Sequence, residues 1–133
     1  MRSPRSLPAS LGIRLFLLCA AASMVAAACS DEAPSGDASL VVEVLPDEVT
    51  VENQTGTPLV GGEISVIPYG TVPRPYVMNL SRLSTGEKRS FALTSFRNPD
   101  GTRFMRSVAK GRRLKVTAKG VGGKSYEREV PFR

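Results

Sequence analysis

The sequence predicts an all-β protein built as a single antiparallel β-sandwich of about seven strands. From Leu40 onward, apolar and polar residues alternate with a period of two, as they do in half-buried strands. Turn-forming residues recur about every 8–12 residues, which is the spacing of sandwich strands. No helical periodicity extends beyond a turn or two, so no competing helical fold is indicated.

Seven segments follow the strand pattern. The first carries Leu40, Val42 and Val44 on one face, and the second carries Val49, Val51 and Asn53. The others are segments 59–68, 76–83, 88–96, 112–119 and 124–132. The side chains expected to face the core in these five segments are Ile64, Val66, Phe91, Leu93, Leu114, Val116, Ala118, Tyr126, Val130 and Phe132.

The connections between these segments are rich in turn residues. Pro46 and Asp47 end the first strand, and Gly61–Gly62 indicates a bulge within the third. Residues 69–75 form a Pro-rich crossing loop, and segments 84–87 and 98–101 are predicted turns.

The N-terminus has the three parts of a secretory signal. Basic residues at Arg2, Arg5 and Arg14 precede an uncharged stretch, 15–28, that ends in small residues before Cys29. A spanning helix needs about 20 apolar residues, so this stretch is too short to cross a membrane. We therefore expect a signal peptide at 1–28, a flexible acidic tether at 29–39 and one folded domain at 40–133.

The sequence Ala26-Ala27-Ala28-Cys29 resembles the lipobox of bacterial lipoproteins, although Ala26 stands where Leu is usual. This resemblance implies that Cys29 is acylated, with fatty acids such as palmitate, and becomes the N-terminus of the mature chain. Ser30 and Asp31 resemble the sorting residues of lipoproteins sent to the outer membrane in cells that have one. The alternative is ordinary signal cleavage that leaves Cys29 unmodified.

Composition excludes several classes of function. The chain has no histidine and only two cysteines, of which Cys29 alone follows the signal peptide. The mature domain therefore has no disulfide, and the common zinc, copper and haem sites lose their preferred ligands, so we expect no cofactor. Ser-His-Asp and Cys-His nucleophiles are impossible, and we expect no enzyme.

A loose resemblance covers about half of the mature chain. The run Val49 to Asn53, followed by Ile64-Ser65-Val66 and by Gly86-Glu87 with Phe91, is similar to immunoglobulin-like or fibronectin-type domains of bacterial envelope proteins, such as the FxLYD type. The resemblance implies an immunoglobulin-like sandwich. It implies no chemistry, because these domains share a scaffold rather than an activity.

Segment 118–125 fits a relaxed phosphate-loop pattern, which requires a following helix to hold the phosphates. The residues after Tyr126 alternate like a strand instead. We therefore interpret Gly120, Gly122 and Gly123 as a hairpin turn. Two side-chain pairs near this segment are possible catalytic pairs by residue type. Adjacent Lys124 and Ser125 would point to opposite faces of a strand, which argues against a Ser-Lys catalytic pair. Glu127 and Glu129 share a face, which we interpret as a solvated outer face rather than a carboxylate pair for glycoside hydrolysis.

The charges are unevenly distributed along the chain. Residues 31–63 hold eight acids and no base, whereas 64–133 hold fifteen bases and four acids. One explanation is pairing of acidic strands with basic ones, which we favour. The other is a basic face for an anionic lipid, lipopolysaccharide, cell-wall polymer or acidic protein. Its residues would be Arg97, Arg103, Arg106, Lys110, Arg112, Arg113, Lys115 and Lys119.

Loop 69–76 contains two tyrosines and an arginine, and loops on rigid sandwiches often bind partners. Packing of these tyrosines over the edge of the sandwich is the alternative. The candidate partner-binding residues are Tyr69, Arg74, Tyr76, Arg97, Arg103, Arg106, Arg112 and Arg113. Nucleic acid is not an expected partner, because no aromatic residues are interleaved with these arginines.

From the sequence we expect an exported lipoprotein of the cell envelope that acts as a non-catalytic interaction or structural module. The first alternative is an accessory protein that binds anionic glycans, lipopolysaccharide or lipid through the basic face. The second is a small hydrolase, against which the missing histidine argues. The partner and the oligomeric state are left open.

Overall fold

The computed structural model describes residues 33–71 and 74–133. These residues form eight strands, one 3-10 turn at Leu93–Ser95 and no α-helix. The strands are β1 Ser35–Gly36, β2 Leu40–Val44, β3 Glu48–Asn53, β4 Leu59–Pro68, β5 Tyr76–Leu80, β6 Lys88–Ala92, β7 Gly111–Gly120 and β8 Ser125–Pro131.

Two antiparallel sheets make up the sandwich. One has the order β1-β8-β7-β4-β5 and the other the order β2-β3-β6. In immunoglobulin letters, β2, β3 and β6 take the places of strands A, B and E, and β8, β7, β4 and β5 those of G, F, C and C′. The prediction of an all-β, antiparallel β-sandwich is confirmed.

The predicted strands agree with the observed ones except at two ends. The strand predicted to reach Leu83 stops at Leu80, and Leu83 alone pairs again with Leu59 through two backbone hydrogen bonds of 2.9 and 3.0 Å. A bulge in β4, expected at Gly61–Gly62, lies between Leu59 and Gly61, where the register of β4 against β7 shifts. The strand predicted to reach Phe96 stops at Ala92, where the 3-10 turn begins.

The structure differs from the predicted tether. Ser35 and Gly36 pair with Glu129 and Arg128 of β8, and the Asp37 N–H donates to the Glu127 carbonyl at 2.6 Å. A Cβ on Gly36 would lie 2.3 Å from that carbonyl oxygen, so only glycine allows the strands to approach this closely. The folded domain therefore begins about five residues before Leu40. The small polar residues Ser35, Gly36 and Asp37 resemble a linker in sequence, but they form hydrogen bonds with backbone groups at the edge of β8.

The core lies between the two sheets and at one end of the sandwich. All ten side chains predicted to face inward in the last five segments are buried. Val42 and Val44 are only partly buried, because β2 is an edge strand. Phe96 and Phe104 are fully buried although they lie in a connection, and the strand pattern did not predict them.

Gly61 and Gly62, at the bulge in β4, differ in the space available for a side chain. A Cβ on Gly62 would lie 2.0 Å from the Thr117 carbonyl oxygen of β7, so β4 and β7 can pair here only with glycine. A Cβ on Gly61 would meet nothing within 4 Å. Gly62 is therefore required by the packing of the sheet, whereas Gly61 leaves open space on its outer surface.

We expect Gly62→Ala to lower the free energy of unfolding by about 1–3 kcal/mol, because the added methyl group forces β4 away from β7. Gly61→Ala is the matched control and should leave stability unchanged or raise it by up to about 1 kcal/mol. Urea denaturation of both variants measures the difference. Equal stabilities of the two variants would contradict the close approach at Gly62.

The other structural anchor is Asn53, whose side chain is fully buried at the end of β3. Its amide nitrogen donates to the carbonyls of Thr57 at 2.8 Å and of Leu83 and Ser84 at 3.2 Å each. Its amide oxygen accepts from the Thr55 N–H at 3.0 Å and the Thr55 hydroxyl at 2.6 Å. One side chain thus connects the β3–β4 loop to the β5–β6 loop.

Removing this amide should be costly. Asn53→Ala removes the five hydrogen bonds of a fully buried side chain, so we expect the free energy of unfolding to fall by about 2–3 kcal/mol. Gln54→Ala, at the exposed neighbouring position, should change it by less than about 0.5 kcal/mol. Thermal unfolding followed by circular dichroism compares the two, and similar losses would argue against the Asn53 network.

Candidate functional site

One end of the sandwich collects loops from the whole length of the domain. Because the strands are antiparallel, β2, β4, β6 and β8 end where β3, β5 and β7 begin. The connections at this end are the described residues of 45–47, 69–75, 93–110 and 132–133. We call this end the basic pole. The opposite end, formed by loops 37–39, 54–58, 81–87 and 121–124, is called the far end.

The two ends differ in charge. The described loops of the basic pole carry six basic side chains and two acidic ones. The bases are Arg74, Arg97, Arg103, Arg106, Lys110 and Arg133, and the acids are Asp47 and Asp100. The loops of the far end carry two of each sign, Arg82 and Lys124 against Asp37 and Glu87. The pole thus has an excess of four positive side chains, whereas the far end is neutral.

Aromatic packing fixes the long β6–β7 connection of the pole. Phe104 is fully buried and meets Tyr76 edge to face, with ring centroids 5.2 Å apart, and Phe132 in the same way at 5.4 Å. The Phe104 N–H donates to the Phe96 carbonyl at 2.9 Å. The segment between these two phenylalanines is a tight loop, closed by the turn from Asn98 to Gly101.

Arg106 connects three parts of the pole. Its guanidinium donates to the Leu45 and Arg133 carbonyls at 3.0 Å each and lies over the Phe132 ring, 4.4 Å from the centroid. These contacts join the β2–β3 turn, the β6–β7 connection and the end of β8. The side chain is therefore engaged within the domain.

Arg97 and Arg103 extend the five-stranded sheet beyond β5. Val77 of β5 pairs with Arg97, which in turn pairs with Arg103. Directly paired residues point to the same side of a sheet, so both arginines project from its outer surface. Arg97 donates to the Gly101 carbonyl at 3.2 Å. Arg103 and Lys110 are exposed and make no ion pair with any residue in 33–71 or 74–133.

The acid nearest to these bases is Asp100. It lies 3.7 Å from Arg74, and both side chains are exposed. The Thr102 hydroxyl and N–H, with the charge of Arg74, hold the pKa of Asp100 below its usual value. Asp100 therefore stays ionised and offsets one of the pole's positive charges.

Apolar side chains project beside the bases. Tyr69 is 67% exposed, Met105 47% and Val108 76%. The Tyr69 N–H donates to the Lys110 carbonyl at 3.1 Å, which joins the β4–β5 loop to the start of β7. A shallow cleft of about 420 Å³ between these loops is lined by Tyr69, Arg74, Val108 and Lys110, among others. The pole therefore presents apolar tips surrounded by positive charge.

The predicted basic residues do not form one face. Arg113 forms an ion pair with Glu129, and Lys115 forms one with Glu127 at 3.3 Å, all on the outer surface of the β7–β8 ladder. Lys119 lies at the other end of β7, toward the far end. Arg113 and Lys115 follow the cross-strand pairing explanation, while Arg97, Arg103, Arg106 and Lys110 gather at the pole.

The remaining predicted partner-binding residues also separate. Tyr69 and Arg74 are exposed at the pole, whereas Tyr76 is half buried against Phe104. Arg112, the second residue of β7, is exposed beside the pole. The sequence analysis did not identify Met105 and Val108 as residues of this surface. The one feature of the sequence that could have identified them is that they are apolar residues within a charged connection.

The other motifs fall on regular structure. The glycine-rich segment 118–125 is a β-hairpin in which the Gly123 N–H donates to the Gly120 carbonyl at 2.9 Å, and strand β8 follows it. The described residues contain no cluster of three or more acids, cysteines or histidines suited to a metal ion. Among the same residues, no helix is long and apolar enough to cross a membrane. Cys29 lies outside the described residues.

Comparison with known proteins leaves the chain without an assigned family. No family model, no curated protein and no solved structure matches it significantly. The resemblance to FxLYD-type domains and to bacterial lipoproteins therefore stays a prediction from the sequence.

The geometry of the pole depends on Phe104, so Phe104→Ala should lower the free energy of unfolding by about 3–5 kcal/mol. It empties the space between Tyr76 and Phe132 and releases the β6–β7 connection. Met105→Ala, at the exposed neighbour, should cost less than about 0.5 kcal/mol. Guanidinium denaturation compares the variants. A Phe104→Ala loss no larger than that of Met105→Ala would contradict the packing described here.

Proposed function

We propose that the protein is an exported, lipid-anchored module of the bacterial cell envelope that binds an envelope component without catalysis. Its binding surface is the basic pole. The observation that carries this proposal is the concentration of six bases and three exposed apolar side chains at one end, while the far end is neutral. Loops gathered at one end of a rigid sandwich are a common location for binding sites.

The distribution of ion pairs supports the pole as the binding surface. On the outer surface of the β7–β8 ladder, Arg113 and Lys115 are matched by acids one strand away, as cross-strand pairing requires. At the pole, Arg103 and Lys110 have no such partner among the described residues. Unmatched positive charge at a surface attracts anionic partners and raises their local concentration.

The proposed anchor is Cys29. A basic leader, a short apolar stretch and a small-residue approach precede it, and it is the only cysteine after the signal peptide. A single acyl chain binds a membrane only marginally, so durable attachment needs more than one chain or a second signal. Ser30 and Asp31 favour the outer membrane, facing the periplasm, in a cell with two membranes.

A non-catalytic role is supported by the side chains available. The chain has no histidine to act as a general base for a serine or cysteine. Glu127 and Glu129, the two acids that share a face of β8, are held in ion pairs with Lys115 and Arg113. The small-hydrolase alternative gains no support from these residues.

Intact-mass analysis of the membrane-extracted protein tests the anchor. We expect a mature chain that begins at Cys29 and carries acyl groups. Cys29→Ala should abolish acylation and membrane retention, whereas Cys19→Ala, within the leader, should leave both unchanged. A mature chain with a free thiol on Cys29 would refute the proposal.

A further inference from the structure

We infer that the partner of the basic pole is the membrane that carries the anchor: the pole lies on its anionic phospholipid headgroups. This inference rests on the proposed function, because it requires acylation of Cys29. It adds a binding partner and a fixed orientation of the domain. Three observations lead to it: the direction of β1, the length of chain before it, and the chemistry of the pole.

The direction of β1 places the entry of the chain at the pole. β8 runs toward the pole and ends at Pro131, and β1 is antiparallel to it, with Ser35 opposite Glu129 and Gly36 opposite Arg128. The residue before β1 therefore lies further toward the pole than β1 itself. Pro34 lines the same shallow groove as Pro131 and Arg133, which confirms this placement.

The chain before β1 is short. Cys29 lies five positions before Pro34, and an extended chain covers at most about 3.6 Å per residue, so the anchor lies within about 18 Å of Pro34. The far end lies six residues before Val130 along β8, which places it roughly 20 Å from the pole. A tether of this length brings the pole to the membrane surface far more readily than the far end.

The chemistry of the pole fits an anionic headgroup layer. Arginine and lysine side chains attract the phosphates of an anionic leaflet, and the attraction falls off within a Debye length, about 8–10 Å in physiological salt. The tether keeps Pro34 within about 18 Å of the anchor, so the pole can approach the bilayer to the distance at which a modest excess of positive charge acts. The tether acids Asp31 and Glu32 reduce that excess.

The apolar tips give the pole a second means of contact. Tyr69, Met105 and Val108 project between the bases, and such side chains enter the boundary between headgroups and acyl chains. Aromatic rings with a polar group, such as that of Tyr69, favour this boundary. The far-end loops have only Val121 as a large exposed apolar residue within the described chain.

The test measures which end of the acylated protein touches the bilayer. The membrane-extracted protein is reconstituted into phosphatidylcholine vesicles with or without phosphatidylglycerol. A fluorophore is attached at the pole through Val108→Cys or at the far end through Thr85→Cys. Quenching by headgroup-labelled lipid then reports the contact. In anionic vesicles we expect several-fold stronger quenching at position 108 than at 85, reduced by raising salt from about 0.05 to about 0.5 M.

Charge reversals at matched positions test the cause of the contact. In the Val108→Cys background, Arg103→Glu with Lys110→Glu should reduce the quenching severalfold. Lys119→Glu with Lys124→Glu changes the net charge equally near the far end and should leave it unchanged. All four positions are exposed, and unchanged thermal unfolding of each double variant shows that the fold is retained.

Several results would overturn the inference. They are equal quenching of the two ends, quenching at position 108 that does not depend on lipid charge, or equal effects of the two double variants. Contact that arises only after lipopolysaccharide or a cell-wall polymer is added would assign the pole to that partner instead. A protein without acyl groups would fail already in mass analysis and refute the proposed function. An acylated protein without contact at the pole refutes this inference alone.

Discussion

The burial of Phe104 is the contact on which the basic pole depends. This side chain lies at the end of the core, between Tyr76 from β5 and Phe132 from the end of β8. It holds a connection of eighteen residues, 93–110, against the sandwich. An unanchored connection of that length would be uncommon in a compact domain. With Phe104 buried, Arg97, Arg103 and Arg106 occupy defined positions around a hydrophobic centre.

The distribution of charge follows from antiparallel topology. Within the β7–β8 ladder, bases and acids on neighbouring strands meet and offset one another, as Arg113 and Glu129 do. Loops have no such neighbours imposed by a register, so their charges add. Because β4, β6 and β8 all end on the same side, bases from distant parts of the sequence accumulate at one end. The same topology leaves the loops of the far end with equal numbers of acids and bases. These loops are connected by structural contacts such as the hydrogen bonds of Asn53.

The short strand β1 connects the fold to the proposed anchor. It covers part of the edge of β8, which would otherwise present unpaired backbone groups. Its direction also decides on which side the preceding chain enters the domain. A parallel pairing would have covered the same edge but brought the chain in from the far end. The relation between the anchor and the basic pole therefore follows from the polarity of a two-residue strand.

Local sequence pattern determined the sandwich, the strand positions and most of the core, because alternation and turn residues act over a few neighbouring positions. The hairpin at 120–124 and the turn at 98–101 follow from glycine, proline and asparagine in the same local way. The export signal and the role of Cys29 are likewise predictions from the sequence, and they concern residues outside the described part of the chain.

Tertiary structure decided what depends on residues far apart in the chain. Phe104 is buried only because Tyr76 and Phe132 converge on it, and no periodic pattern marks such a position. The pairing of Ser35 and Gly36 with β8 depends on an open edge more than ninety residues away. Which bases are neutralised was also decided by register: Arg113 and Lys115 meet acids across the ladder, whereas Arg103 and Lys110 face solvent at the pole. Sequence gives the number of charges, and only the packing of strands brings particular charges together.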